Sequence, residues 1–361
     1  MSKTVLFLSS NGAGLGHVTR LMAVARRLPS EYTKIFATMS LGMPVIKMEG
    51  FFAEFIPSKK YMDVEHLNWN SFLENRLLEI IDIYNPKVVV FDGTAPYFGL
   101  AEIISTRKSI KFIWNRRGMW KKHLGKIHLK KSYLFDLVIE PGEIASPFDS
   151  GETKRKRNKS LKVNPIIYLD EKDILSKEES QKLWEIDSNK TTVLVQLGAG
   201  NINDINTPIN IFIRNLLKNP NIDLCVSESV IARTPIKLTD GIKKIRGYPL
   251  SKFYKAFDFI VSAAGYNSFH ELIAFKIPSI FVPNIQTSLD NQLARAQYAH
   301  AKELAVCVTD LKDTFVRNAL DKMLNEEFRE KLIENCTRAF PGNGAQEVSD
   351  LIADMIEGKR F

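Results

Sequence analysis

Residues 265–292 read GYNSFHELIAFKIPSIFVPNIQTSLDNQ and follow the strand-like run Phe259–Ser262. Gly265 separates that run from a segment with helical character. This order directs free backbone N–H groups and the positive end of a helix dipole toward whatever lies in front of the turn. The pattern therefore predicts a phosphate-binding turn, with Asn267 and Ser268 in the first turn of the helix.

The same stretch carries side chains that suit a sugar. Glu271 stands about one turn into the helix, where a carboxylate can accept hydrogen bonds from both hydroxyls of a ribose. The apolar run 279–282 predicts the next buried strand, and three polar residues follow it: Asp290, Asn291 and Gln292. The alternative is an ordinary β-α-β crossover with a solvated glutamate. The occurrence of the glycine turn, the glutamate and the polar residues together, in this order, disfavours it.

The stretch resembles the donor-binding region of the MurG-like nucleotide-sugar glycosyltransferases. In that family a glutamate on this helix binds ribose, and a polar pair ending in Gln contacts the donor sugar. The resemblance implies that Glu271 holds the ribose and that Asn291 and Gln292 hold the sugar. It also implies the GT-B architecture, in which two Rossmann-like domains face each other across a cleft.

Length and composition agree with a two-domain protein. A chain of 361 residues is long for one core, and 45% hydrophobic with 25% charged residues is typical of a soluble globular protein. No apolar run approaches the length of a membrane span, and the start of the chain lacks a signal peptide's basic region and cleavage site. We expect a cytoplasmic protein.

Strand-like runs alternate with amphipathic helical segments in both halves of the chain. The runs are 5–10, 34–39, 53–57, 88–92, 110–114 and 137–140, then 192–197, 222–226, 242–245, 259–262, 279–282 and 304–308. Such alternation predicts an α/β protein with two parallel sheets, each covered on both faces. The predicted division is an acceptor-side domain 1–164, a linker 165–190, a donor-binding domain 191–345 and a C-terminal helix 346–361 that packs back toward the first domain.

A glycine-rich loop follows the first strand and contains Gly12, Gly14 and Gly16 directly before His17. A dinucleotide fingerprint needs its last glycine where His17 stands, and an acidic residue after the second strand. The chain meets neither condition, which disfavours an NAD enzyme. A histidine at the start of a helix is disfavoured as a cation, so its neutral ring can take a proton from an acceptor hydroxyl.

This loop resembles the N-terminal glycine-rich turn of MurG-like glycosyltransferases, in which a Gly-His pair stands at the cleft. Those families often place Pro three residues after the His, whereas this chain has Arg20, and a G-H-x-x-R form occurs in a related nucleotide-sugar hydrolase. A structural role for His17, bonded to a loop carbonyl, is the alternative. Asp92 ends a predicted strand and is a candidate to orient or assist His17, or equally to cap the helix after Pro96.

A second glycine-rich turn follows the strand-like run 192–197 and contains Gly198, Gly200 and Asn201. The resemblance implies that this turn faces the donor diphosphate. The resemblance also places Tyr248 near the nucleotide base. The chain has no D-x-D motif and no cluster with metal-ligand spacing, so we expect neither a metal nor a cofactor. The N–H groups at the Gly265 turn would then stabilise the leaving diphosphate.

The net charge of +9 is concentrated in residues 103–135, which hold ten Lys or Arg and no Asp or Glu. The segment also contains Phe112, Trp114, Trp120 and Tyr133. Basic and aromatic residues together suit the headgroup surface of an anionic membrane, although a solvated face explains the charge equally well. Nothing in the segment resembles a nucleic-acid-binding motif.

These patterns predict an inverting, metal-independent glycosyltransferase that moves a hexose or N-acetylhexosamine from a UDP-sugar, or a similar donor, to an acceptor hydroxyl. The acceptor would be lipid-linked or part of a cell-envelope glycan, reached at the inner face of the membrane. His17, with help from Asp92, would deprotonate the hydroxyl. Two alternatives are a hydrolase or epimerase that uses the same donor site, and a non-catalytic binding subunit that recruits a partner to the membrane.

Overall fold

The computed structural model describes residues 3–10, 14–156, 159–201, 203–239 and 241–359. The chain divides into two compact units, of which the first comprises Met1–Glu143, Ser150–Tyr168 and Asn343–Phe361, and the second Ile144–Asp149 and Leu169–Gly342. This division differs from the predicted one in two places. The short segment Ile144–Asp149 groups with the second unit, and the predicted linker 165–190 is shared between the units at Tyr168 and Leu169.

Within the described residues, the first unit contains a seven-stranded parallel sheet in the order β3-β2-β1-β4-β5-β6-β7. Its strands are β1 (Thr4–Ser9), β2 (Thr33–Thr38), β3 (Phe52–Phe55), β4 (Val88–Asp92), β5 (Lys111–Asn115), β6 (Leu137–Pro141) and β7 (Leu161–Val163). Its helices are α1 (Gly16–Ala25), α2 (Met43–Met48), α3 (Lys59–Met62), α4 (His66–Tyr84), α5 (Phe98–Thr106), α6 (Lys126–Lys130), α7 (Glu152–Lys156) and α14 (Ala345–Ile356), with a 3₁₀ helix at Lys131–Leu134.

The described part of the second unit contains a six-stranded parallel sheet in the order β10-β9-β8-β11-β12-β13. Its strands are β8 (Thr191–Gln196), β9 (Ile222–Ser227), β10 (Lys243–Ile245), β11 (Phe259–Ser262), β12 (Ser279–Phe281) and β13 (Val306–Cys307). Its helices are α8 (Lys177–Leu183), α9 (Asn206–Leu216), α10 (Tyr266–Ala274), α11 (Gln292–Ala301), α12 (Asp313–Leu324) and α13 (Glu326–Ala339), with 3₁₀ helices at Ser146–Phe148, Glu171–Asp173 and Leu250–Ala256.

Both sheets are buried on their two faces, as near-continuous apolar strands predict. Every residue of β1 and of β4 is buried, because helices cover both sides of the sheet. Each of the predicted strand runs overlaps an observed strand. The sequence patterns did not predict β7, which lies in a basic stretch and pairs with β6.

The strand order reverses next to the first strand of each sheet. In the first unit β1 lies between β2 and β4, and in the second unit β8 lies between β9 and β11. In open parallel sheets ligands bind beyond the carboxyl ends of the strands at such a reversal. This topology brings the loops after β1 and β4 to one edge of the first sheet, and the loops after β8 and β11 to one edge of the second.

The C-terminal helix α14 belongs to the first unit and packs on α1. Val348 and Ile352 on its apolar face are fully buried. The chain enters this helix at Gly344, where a Cβ would stand 2.2 Å from the backbone oxygen of Asn164, so only glycine fits. Asn343 adds two hydrogen bonds to the backbone of Ile167, at 3.2 Å each, and fixes the approach to the helix.

Candidate active site

A recess in the first unit lies at the carboxyl ends of β1 and β4. His17 reaches it from the start of α1, and Asp92 is the last residue of β4. Basic and polar groups dominate the lining, which consists of His17, Arg20, Asp92, Gly93, Thr94, Arg117 and Trp120. The topology therefore brings together the two residues that sequence analysis selected as candidate catalytic groups.

Asp92 is the centre of a buried hydrogen-bond network. His17 Nδ1 lies 2.6 Å from Asp92 Oδ1. Arg20 donates to both carboxylate oxygens, from Nη2 to Oδ1 at 2.5 Å and from Nε to Oδ2 at 2.9 Å. Asn115 Nδ2, at the end of β5, donates to Oδ2 at 2.7 Å. The side chains of Arg20 and Asp92 are only 2% and 1% exposed, so their opposite charges compensate each other away from water.

This network determines which nitrogen of His17 can accept a proton. Arg20 Nη2, a donor, lies 3.0 Å from His17 Nδ1, but the Asp92 carboxylate, which only accepts, is closer at 2.6 Å. The shorter contact favours the tautomer with hydrogen on Nδ1 and leaves the lone pair on Nε2. Burial lowers the pKa of His17 below its usual 6.5, and the charges of Arg20 and Arg117 act in the same direction, while Asp92 opposes them. The ring is therefore neutral near pH 7 and has the properties of a general base.

Asp92 itself stays ionised and is not the base. Burial alone would raise the pKa of its carboxyl group, but the charge of Arg20 and the hydrogen bonds from His17 and Arg20 hold that pKa below its usual 3.8. An ionised Asp92 orients the His17 ring and would stabilise an imidazolium if Nε2 took a proton.

Two alternatives from the sequence reading are wrong. Asp92 does not cap the helix after Pro96, because Asn70 Oδ1 accepts the N–H groups of Phe98 and Gly99 at 3.0 and 3.2 Å. The Nδ1 of His17 is bonded to the Asp92 carboxylate rather than to a loop carbonyl.

Sequence reasoning missed the contributions of Arg20 and Asn115. The G-H-x-x-R spacing held the signal for Arg20, since residues three apart lie on one face of a helix. Of the three glycines predicted to line the loop, Gly12 lies outside the described residues. Gly14 has open space where a Cβ would stand, and Gly16 is the first residue of α1.

The second unit presents the predicted phosphate turn. Gly265 occupies the N-cap position of α10, and no side chain at that position caps the helix. Asn267 and Ser268 are partly exposed in the first helical turn. A Cβ on Gly265 would stand 3.9 Å from Gln292 Nε2, so the amide of Gln292 lies beside the start of α10. Backbone N–H groups and an amide donor thus share one place, which suits an anionic group.

A buried polar network lies behind this turn. Glu271 is buried on α10, and its charge, together with burial, raises the pKa of Tyr254. Gln196 Nε2 donates to the hydroxyl of Tyr254 at 2.8 Å, and Ser268 bonds the same hydroxyl. Sequence reasoning missed Tyr254, because it lies in a 3₁₀ helix that no pattern marked.

The polar residues at the start of α11 are engaged in local contacts. Asp290 pairs with Arg295 at 3.0 Å, and Asn291 Oδ1 caps α11 by accepting the N–H of Ala294 at 3.2 Å. Gln292 Oε1 accepts the N–H of Asn284 at 3.0 Å, which orients its amide. Of the three, Gln292 is the one whose amide the structure places at the phosphate turn.

The second glycine-rich turn uses left-handed backbone at Gly198 (φ 95°) and Gly200 (φ 66°), which favours glycine at both positions. Asn201 braces the turn against a neighbouring loop, since its amide bonds Ile231 O at 3.2 Å and Arg233 N at 3.3 Å. Tyr248 is half-buried in the loop that follows β10. Among the described residues, no group of three or more His, Cys, Asp or Glu could hold a metal ion.

The chain has the predicted GT-B fold, with two Rossmann-like units that each carry candidate site residues where the strand order reverses. Residues 244–352 match the glycosyltransferase family 28 C-terminal domain. The chain is 22% identical over 396 residues, 100% of both proteins, to the UDP-N-acetylglucosamine--N-acetylmuramyl-(pentapeptide) pyrophosphoryl-undecaprenol N-acetylglucosamine transferase of Flavobacterium psychrophilum.

Solved structures show the same fold. MurG of Acinetobacter baumannii superposes with a TM-score of 0.61 at 15% identity, over 98% of this chain and 100% of that one. The UDP-GlcNAc 2-epimerase of Neisseria meningitidis, bound to UDP-GlcNAc, superposes with a TM-score of 0.69 at 13% identity, over 99% and 100%.

The comparisons confirm the predicted resemblance to the MurG-like, family 28 glycosyltransferases, and they support a glycosyltransferase enzyme. No helix in the described part of the chain is long and apolar enough to cross a membrane.

Proposed function

We propose that this enzyme transfers a hexose or N-acetylhexosamine from a UDP-sugar, or a similar nucleotide sugar, to an acceptor hydroxyl, with inversion and without a metal. The observation that carries the proposal is Glu271, which is buried one turn after the N-terminus of α10, where the N-cap residue Gly265 has no capping side chain. Both features lie inside residues 244–352, the part that matches the family 28 domain. The named activity of the Flavobacterium psychrophilum relative supports a UDP-linked donor.

In this proposal the donor lies along the carboxyl edge of the second sheet. The N–H groups at Gly265 to Ser268 and the dipole of α10 bind the diphosphate. Glu271 binds the ribose hydroxyls, and the amide of Gln292 binds the sugar, with Asn291 beside it. The remaining donor contacts are assigned to the turn of Gly198, Gly200 and Asn201 and, near the base, to Tyr248.

Transfer is a single displacement at the anomeric carbon. The acceptor hydroxyl gives its proton to Nε2 of His17 while its oxygen forms a bond to that carbon. The bond from the carbon to the diphosphate oxygen breaks, and its electron pair leaves with the nucleotide. Attack from the face opposite the leaving group inverts the configuration. A positioned base of this kind contributes about 10²- to 10⁴-fold to the rate.

The Glu271→Gln variant tests the donor assignment. The substituted glutamine would keep the shape of the buried side chain but lose the charge, and a hydrogen bond to a charged group contributes about 1.5–3 kcal/mol. We therefore expect the Kd for UDP, measured by calorimetry, to rise by about 10- to 100-fold. Removing the ribose 2′-hydroxyl from UDP should weaken wild-type binding strongly and variant binding little.

The matched control is Glu334→Gln, which removes the charge of an exposed glutamate on α13 paired with Arg338. It should leave the Kd for UDP and for 2′-deoxy-UDP unchanged. Unaltered UDP binding in Glu271→Gln, or equal sensitivity of both proteins to the missing hydroxyl, would show that Glu271 does not bind the ribose.

A nucleotide-sugar hydrolase is the second candidate, and the buried Arg20 favours it. Arg20 completes the G-H-x-x-R form and holds the carboxylate that orients His17. In a hydrolase, water would take the place of the acceptor hydroxyl and lose its proton to the same ring nitrogen. Release of free sugar from UDP-GlcNAc at turnover rates, with no acceptor present, would favour hydrolysis over transfer.

We further infer that the acceptor is reached at an anionic membrane surface. The aromatic residues Phe112, Trp114 and Trp120 do not contribute to this, because all three are buried in the first unit. The exposed part of the segment is smaller and combines basic and apolar side chains. This basic surface consists of Lys122, His123, Leu124, Lys126, Ile127, Lys130 and Tyr133. Ile127 and Tyr133 are 72% and 83% exposed, which suits shallow contact with lipid headgroups.

Replacing Lys122, Lys126 and Lys130 together by Gln should weaken binding to anionic vesicles. Each Lys near such a surface contributes about 1 kcal/mol, so loss of three should lower the partition coefficient by about 100-fold. Vesicle flotation with phosphatidylglycerol measures the effect, and phosphatidylcholine vesicles should show none. The control replaces the exposed Lys172, Lys182 and Lys322 of the second unit, with the same change of net charge. Equal losses in both triple variants would contradict the assignment of this surface.

A further inference from the structure

Arg295 is a fully buried cation in the second unit. It lies on α11, and its side chain is 0% exposed. Its Nη1 donates to the backbone oxygen of Ala264 at 2.8 Å. Its Nη2 donates to Asp290 Oδ1 at 3.0 Å, and the guanidinium lies 5.8 Å from the ring of Phe269. A charge in this position is stable only because it is paired and hydrogen-bonded.

Two hydrogen-bond partners of Arg295 belong to the two segments of the proposed donor site. Ala264 directly precedes Gly265 and the start of α10, where the diphosphate is assigned. Asp290 lies two residues before Gln292, in the loop where the sugar is assigned. A single guanidinium therefore joins the phosphate turn to the sugar loop.

The sugar loop is also braced by hydrogen bonds at Asp290 and at Gln292. The hydroxyl of Thr287 donates to the backbone oxygen of Asp290 at 2.6 Å. The N–H of Asn284 donates to Gln292 Oε1 at 3.0 Å. The loop is thus held by its own hydrogen bonds, and Arg295 connects it to the phosphate turn.

We propose that Arg295 is a positioning residue that sets the distance between the phosphate turn and Gln292, and thereby the preference for a nucleotide sugar over the free nucleotide. The inference rests on the proposed function, because it needs a donor that contacts both segments. Arginine suits this task because its planar fork offers several donors in fixed directions, whereas the ammonium of lysine is a point charge. A lysine in its place would keep the charge but lose the double connection.

The test compares the binding of UDP with that of UDP-GlcNAc. In Arg295→Lys the Kd for UDP-GlcNAc should rise about tenfold, while the Kd for UDP changes less than twofold, because only the sugar conjugate spans both segments. The donor KM should rise in proportion. Met323→Ala is the control: it removes a buried side chain from the core of the same unit. It should lower the melting temperature and leave the ratio of the two Kd values unchanged.

A second variant keeps the proposal testable if Arg295→Lys does not fold. Asp290→Asn leaves the bond from Arg295 to Ala264 in place and weakens only the connection to the loop, so the Kd ratio should change in the same direction. Equal weakening for both ligands, or no change for either, would overturn the positioning role alone. If the wild-type protein binds neither ligand, the donor class under Proposed function is wrong, and the role of Arg295 falls with it.

Discussion

His17→Ala is expected to lower kcat/KM for glycosyl transfer by about 10²- to 10⁴-fold, the usual contribution of a positioned general base. The lone pair on Nε2 is lost, and Asp92 cannot replace it, because Arg20 and Asn115 occupy its oxygens and the charge of Arg20 lowers its pKa. Donor binding should be unchanged, because His17 is assigned to the acceptor. Transfer kinetics together with calorimetry of UDP binding separate the two effects.

The control for this variant is His300→Gln, which alters an exposed histidine at the end of α11. It should leave both kcat/KM and the Kd for UDP unchanged. If His17→Ala transfers sugar at the wild-type rate, the base lies elsewhere. If it loses UDP binding as well as activity, His17 belongs to the donor site instead of the acceptor site.

The fold follows from patterns that are local in the sequence. Buried parallel strands are short apolar runs, and each run is limited by glycine, proline or polar residues within a few positions. Strand β7 escaped detection because it has three residues, of which only Val163 is buried. An edge strand of this kind carries little hydrophobic signal, and its pairing with β6 depends on the rest of the sheet.

The candidate site was predictable where polar or glycine residues directly follow a buried strand. Gly265 stands between β11 and α10, and His17 lies at the start of the helix that follows β1. The partners of Asp92 were not predictable with the same certainty. Arg20 and Asn115 are 72 and 23 positions away along the chain, and only the pairing of β1, β4 and β5 brings them together.

The segment 103–135 shows how composition misleads when burial is unknown. Trp114 lies on β5 and is fully buried, and Arg116 is a buried cation near Glu140. A count of charges and aromatic rings in the sequence includes such buried residues as if they were exposed. The exposed basic residues of this segment mostly follow strand β5. Composition alone does not distinguish them from the buried residues of the same segment.

Asp92→Asn is expected to have the largest effect on stability. It leaves the buried guanidinium of Arg20 without an anionic partner, and removing one member of a buried ion pair costs about 3–5 kcal/mol. Chemical denaturation of both proteins at pH 7 measures this difference. The variant should also lose most of its transfer activity, because the amide no longer selects the hydrogen on Nδ1 of His17.

The pH dependence follows from the direction of each pKa shift. The pKa of His17 lies below 6.5 in the folded protein, so the unfolded chain binds a proton first, and the free energy of unfolding decreases as the pH falls below 6.5. Asp92 has a pKa below 3.8, so its stabilising contribution is complete above pH 3.8 and is lost as the pH falls through its folded value. Activity should decline on the acid side at a pH below 6.5.

Asp92→Asn should move this acid decline to lower pH, since Asp92 raises the pKa of His17 while Arg20 and Arg117 lower it. A shift to higher pH would show that Asp92 does not act on the base. The double variant Arg20→Met with Asp92→Leu distinguishes structure from catalysis. Because the double variant has neither charge, no unpaired guanidinium is buried, and most of the lost free energy of unfolding should return. Activity should not return, because no group remains to orient His17, and recovery of both would reduce the network to a structural ion pair.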